Sequence, residues 1–190
     1  LPMQVKITRS RRKTLSLRII PTGDLDIRAP LRLPQREIER FLEEKADWIE
    51  RNRRKVLADR QVGAAQSLSE EALETLKDLA EGPIRESLQK YAPIMGVTYG
   101  RVTVRCQKSR WGSCSGKGNL NFNCLLALAP REVLDYVVVH ELAHRKQMNH
   151  STAFWREVEA VLPDYRQRLA WLKTNGGALM ARVSGEKCTE

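Results

Sequence analysis

The sequence has no apolar run approaching the roughly 20 residues needed to cross a bilayer, so no membrane span is expected. The opening residues, Leu1-Pro2-Met3-Gln4, carry no apolar stretch ahead of a small-residue cleavage site, and no secretory signal is read there. Four cysteines (Cys106, Cys114, Cys124 and Cys188) are too sparse for a disulfide scaffold and form no CxxC pair. Reduced thiols and a cytoplasmic setting are therefore expected. Internal repeats and low-complexity tracts are absent. No acidic residue precedes Asp24, whereas Lys6, Arg9, Arg11, Arg12 and Lys13 all do. Histidine is scarce: three in the whole chain, all within eleven positions.

What is present suits a globular protein. The chain has 190 residues, 42% of them apolar, enough for one domain with a core or a small domain with an extension. The net charge of +10 is uneven. Residues 1–60 hold sixteen Lys/Arg against nine Asp/Glu and so carry +7 of it. Such a basic stripe can bind nucleic acid or an acidic partner; a solvated strand face and a basic helix surface give the same composition.

Val5/Ile7, Leu15/Leu17/Ile19 and Leu25/Ile27 alternate with polar residues, predicting strands over residues 4–29 with a turn at Pro21-Thr22-Gly23-Asp24. Pro34 can open a helix through Ile38, Phe41, Leu42, Trp48 and Ile49 to about Leu57. Residues 61–67 read as a linker. Ser67 with Glu70 resembles a capping box for a helix that Gly82-Pro83 threatens to kink. Val102-Thr103-Val104 and Leu120-Asn121-Phe122-Asn123 read as strands, with a glycine-rich loop over residues 110–118 between them. Pro130 starts an apolar helix to about Met148, and Ser151 caps a further one. From Thr174-Asn175-Gly176-Gly177 onward no pattern is visible. The expected fold class is α+β, divided into a β-rich basic extension (1–60), a catalytic domain (67–173) and a loose tail (174–190).

The chemistry lies in His140-Glu141-Leu142-Ala143-His144, six residues ahead of His150. On a helix, residues four apart share a face, with Cβ atoms about 5–6 Å apart, so His140 and His144 can be two legs of a tetrahedral zinc site. Glu141, about 100° round the helix, flanks the ion and can take a proton from water whose pKa zinc lowers. Asn149 in a left-handed conformation would turn the chain and return His150 as the third ligand. A carboxylate on the next helix, Glu157 or Glu159, is the competing ligand. The apolar residues Val133, Leu134 and Val137–Val139 imply burial nearly all round, and buried ionisable groups need partners.

Arg110-Trp111-Gly112-Ser113-Cys114, Leu120–Asn123, Tyr136–His144, Asn149-His150-Ser151 and Phe154-Trp155 together resemble the YgjP-like metallopeptidases, small zincins related to the SprT-like proteases. The resemblance covers most of the chain, and the basic front ending at Arg28-Ala29-Pro30 is similar to that family's amino-terminal extension. It implies a zincin-like catalytic domain, one zinc ion on His140, His144 and His150, and Glu141 as general base. The chain departs from metzincins, having Gln147 where they have glycine and only Met180, in the tail, as a Met-turn methionine. It also lacks the cysteine zinc ribbon of SprT-like crosslink proteases.

Three further residues are candidates for contact with substrate. Asn121 and Asn123 sit on the strand before the helix, where zincins place the edge strand that pairs with peptide, and Arg110 could line the cleft. Asn123 and Arg110, with Tyr136 and Tyr165, are also candidates for oxyanion stabilisation. The reading is a single-zinc hydrolase of peptide bonds acting on a peptide or protein. Its rivals are a nucleic-acid-associated protein with a zincin fold and a structural zinc protein without catalysis.

Overall fold

The computed structural model describes residues 3–183 as two compact units, divided between Val62 and Gly63. In the first unit, strands β1 (Val5–Ser10), β2 (Ser16–Ile19) and β3 (Leu25–Pro30) precede helices α1 (Gln35–Glu44) and α2 (Ala46–Ala65). β3 is central, parallel to β1 and antiparallel to β2. Its alternate residues Leu25, Ile27 and Ala29 are buried with Ile38 and Ile49, as a strand with one apolar face requires. Gly23, at a φ of 84°, makes the β2–β3 turn. The basic front is partly spent inside the unit: the Arg9 guanidinium donates to the carbonyls of Leu33 and Pro30.

Two boundaries differ from the sequence reading. α2 continues through residues 61–65, where a linker was expected. Ser69, not Ser67, caps the next helix, its hydroxyl accepting from Ala72 N–H at 3.1 Å. That helix, α3 (Glu70–Met95), runs unbroken through Pro83. A proline has no N–H to donate to the carbonyl four residues earlier, here that of Leu79. Here the loss falls beside exposed Leu79 and Gly82, on the side open to water.

The second unit adds β4 (Val102–Arg105), β5 (Gly112–Cys114), β6 (Leu120–Asn123), a 3-10 turn (Cys124–Leu128), α4 (Arg131–Ala143), α5 (Thr152–Val161) and α6 (Tyr165–Ala181). The sheet order is β4-β6-β5, β6 parallel to β4 and antiparallel to β5. β6 is thus paired on both sides and cannot be the edge strand that the sequence suggested. β5, formed within the expected glycine-rich loop, is one edge and β4 the other. Leu120 and Phe122 of β6 pack with Val138 and Leu142 of α4 and with Phe154 and Val158 of α5, all fully buried. Each such side chain contributes about 1.5–3 kcal/mol by leaving water.

The expected loose tail is helical as far as Ala181. A glycine inside a helix costs about 1 kcal/mol relative to alanine, yet the gap at Gly176 lets Trp111 approach: a Cβ there would lie 3.2 Å from Trp111 Cζ2. Cys188 lies outside the described residues.

Candidate metal centre and active site

His140 and His144 stand one helical turn apart on α4, with ring centroids 5.1 Å apart. α4 ends at Ala143, earlier than its apolar pattern suggested, and His144 is its cap residue with helical angles (φ −64°, ψ −15°). The chain then turns through Arg145 N–H to Leu142 O (2.9 Å) and Lys146 and Gln147 N–H to Ala143 O (both 3.0 Å). No residue other than glycine has a positive φ among the described residues. Asn149 therefore does not use the left-handed conformation expected of it; helical turns beyond Ala143 bring the chain round instead.

That turn returns His150 to the other two histidines. His150 Nε2 lies 3.0 Å from His140 Nε2, and one donor atom from each of the three histidines lies within 4.8 Å of the others. Glu157, the rival ligand, forms an ion pair with Lys146 at 2.8 Å, and Glu159 pairs with Arg166 at 2.8 Å. Phe154 lies beneath all three rings, its centroid 4.8, 4.7 and 4.8 Å from His140, His144 and His150. This fixes their positions with a side chain that offers no competing ligand atom.

The electrostatics favour neutral imidazoles at His140 and His144. Burial first, then the charges of His144 and His150, push the His140 pKa down to about 3. Burial also lowers that of His144, against the opposing hydrogen bond to the Gln147 carbonyl. That bond, 3.1 Å from His144 Nδ1, fixes the proton on Nδ1 and leaves Nε2 with a free lone pair. Tyr136 OH approaches His140 Nδ1 at 3.5 Å. Imidazole nitrogens gathered this closely suit a zinc ion, whose 2.0–2.1 Å bonds would space tetrahedral ligand atoms roughly 3.3 Å apart.

Glu141, next to His140 on α4, is 5% exposed. Burial pushes its pKa up to about 8, and the charge of Arg110 partly offsets this. Glycine is required opposite it: a Cβ on Gly112 would sit 2.7 Å from Glu141 Oε1. Sequence reasoning placed Gly112 in a loop and assigned it no role. The contact spans twenty-nine residues of chain and leaves no local signal.

Beside Glu141 lies a cavity of about 330 Å³ between β5, α4 and α6. Trp111, Val137, Leu169 and Leu172 supply apolar wall, Tyr136, His140 and Glu141 supply polar groups, and Lys173 completes the lining. Tyr165 stacks on Tyr136 with centroids 6.5 Å apart, outside this lining.

The three substrate-contact candidates do not come together. Arg110 is exposed and acts on Glu141 through its charge. Asn121 is half-buried and donates to Ser113 Oγ at 3.3 Å across β5–β6. Asn123 is fully buried. Its Nδ2 donates to the carbonyls of Gln107 (2.7 Å) and Arg110 (2.9 Å) and lies 3.5 Å from Met180 Sδ, while its Oδ1 accepts from Leu125 N–H. Asn123 therefore holds the loop that leads into β5.

The chain is similar to the crystal structure of the metallopeptidase zymogen of Pyrococcus abyssi abylysin, at 29% identity over 48% of this chain and 92% of that one, with a TM-score of 0.45. It is also similar to the metallopeptidase zymogen of Methanocaldococcus jannaschii jannalysin, at 21% identity over 48% and 86%, with a TM-score of 0.42. No curated protein matches it. The family model described as YgjP-like, metallopeptidase domain, matches residues 13–74 and 59–175, and the chain belongs to that family.

Proposed function

We propose that this member of a metallopeptidase family is a zinc-dependent peptidase, with one zinc ion held by His140, His144 and His150 and Glu141 as the general base. The observation that carries the reading is the convergence of three imidazoles, with a buried carboxylate beside them on the wall of a cavity. Zinc at such a site supplies Lewis acidity, making water a better acid and a carbonyl a better electrophile. The chain's own groups do the rest. Glu141, its pKa raised by burial, is matched to accept a proton from water near neutral pH and to return it to the departing amine. A cation on the histidines would pull that pKa down from about 8, leaving the carboxylate ionised for the task.

Substrate would run along β5, whose outer edge is free of β6 and ends beside Glu141 at Gly112. The cavity bounded by Trp111, Val137, Leu169 and Leu172 would take an apolar side chain next to the scissile bond. Asn121, on the strand behind β5, and exposed Arg110 then support the edge from outside the cavity. A purely structural zinc site would close with a fourth protein ligand, whereas the group among the described residues consists of the three histidines. Of the basic front, Arg9 is engaged within its own unit.

The test is hydrolysis of a peptide library by zinc-loaded protein and by Glu141→Gln. Loss of hydrolysis at retained zinc, with wild-type cleavage beside apolar residues, supports the reading. Equal rates in wild type and variant would refute it.

A further inference from the structure

Cys106 and Cys124, eighteen residues apart in sequence, lie side by side at the ends of neighbouring strands. β4 and β6 pair in parallel through Arg105 and Asn123, so each cysteine is the next residue to leave its strand. Neighbouring strands run about 4.8 Å apart, within the Cα spacing of roughly 4.4–6.8 Å that a disulfide spans. The sulphurs are already 2.9 Å apart. Cys124 is fully buried and Cys106 half-buried, so one of the pair is open to a reagent and the other only to its neighbour. Lys77 on α3, whose ammonium is favoured first by its bond to Glu74 and further by the charge these thiols can carry, stands near both. Cys114 lies apart on β5, its Sγ 3.4 Å from the carbonyl of Ser115.

We propose that Cys106 and Cys124 form an oxidisable dithiol, a modification site that closes to a disulfide by exchange with a small disulfide of the glutathione class. Cys106 thiolate attacks one sulphur of the reagent, forming a mixed disulfide and releasing one glutathione thiolate. Cys124 then gives up its proton and attacks Cys106 Sγ, expelling the second glutathione. Two protein thiols are oxidised and one reagent disulfide is reduced to two thiols, which take up the two protons. The new bond closes the segment that carries Arg110, Trp111 and Gly112. The chain already ties this segment through Asn123 to the carbonyls of Gln107 and Arg110. The cross-link thus fixes the wall of the cavity beside Glu141, and it holds whether or not the chain is a peptidase.

The experiment equilibrates the folded full-length, zinc-loaded protein with oxidised glutathione, blocks free thiols and maps tryptic peptides without reduction. A bond between peptides 106–108 and 118–131 is expected, each carrying one of the two cysteines. It should be reversed by dithiothreitol, abolished in Cys106→Ser and kept in Cys114→Ser. The oxidised protein should melt on the order of 5–10 °C higher than the reduced one. Cys106 left as a stable mixed disulfide, linkage through Cys114 or Cys188, or linkage only after unfolding in urea would each overturn the assignment.

Discussion

Replacing Glu141 with glutamine should stabilise the metal-free fold while removing its chemistry, and the gain should depend on pH. The folded carboxyl is pushed up to about 8 from an ordinary value of 4.5, with burial as the first cause. Between those values the folded state holds a proton that the unfolded chain has lost, so stability falls as pH rises from about 4.5 to about 8. At about 1.4 kcal/mol per unit over the 2.5 units from 4.5 to 7, the penalty comes to a little over about 3 kcal/mol at pH 7. Water entry and relaxation around the ionised group retain part of that, so about 1–3 kcal/mol is expected at neutral pH. Glutamine has nearly the same shape and no charge to bury. The lowered pKa values of His140 and His144 also shape the wild-type curve, but both proteins share them and they cancel in the difference. Urea denaturation followed by circular dichroism, in the presence of chelator, gives that difference. Glu141→Gln should match wild type near pH 4.5–5 and exceed it near pH 8. A difference that does not change with pH, or a wild type more stable at pH 8, would refute the argument that burial of this carboxyl is a strain stored in the fold.

His150→Ala should bind much less zinc than wild type in elemental analysis, with little loss of fold, because His150 is exposed and packs on the site through its ring alone. Gly112→Ala places a methyl 2.7 Å from Glu141 Oε1, so turnover should fall by on the order of tenfold or more at retained zinc, as expected when a catalytic group is displaced. Unchanged turnover would show that Glu141 yields freely. Asn123→Ala strips hydrogen bonds from the carbonyls of Gln107 and Arg110 and from Leu125 N–H. It should cost about 2–4 kcal/mol of stability, seen as a lower urea midpoint. A change in KM with no change in stability would instead make Asn123 a substrate contact.

The apolar run of α4 and the four-residue spacing of His140 and His144 are properties of local sequence, because helical periodicity needs only neighbours within a turn or two. For the same reason the α+β class, the hairpin turn at Gly23 and the Ser151 cap are legible without coordinates. The approach of His150 is legible too, though not its means: the chain turns on helical hydrogen bonds rather than a left-handed Asn149. Helix ends are set by competition between nearby hydroxyls and by packing. Hence Ser69 outdoes Ser67, and α6 runs on through Gly176, whose missing side chain leaves room for Trp111. Sheet order, the identity of the edge strand, the contact of Gly112 with Glu141 and the meeting of Cys106 with Cys124 join residues far apart in sequence. Strand pairing is satisfied by almost any residue with a backbone N–H and C=O, so no residue type announces which strand stands at the edge. The amino-acid order alone determined the helix that carries His140, Glu141 and His144 and their spacing along it. Only the folded chain decided which strand, which glycine and which wall surround them, because those choices rest on side-chain volumes meeting across the core.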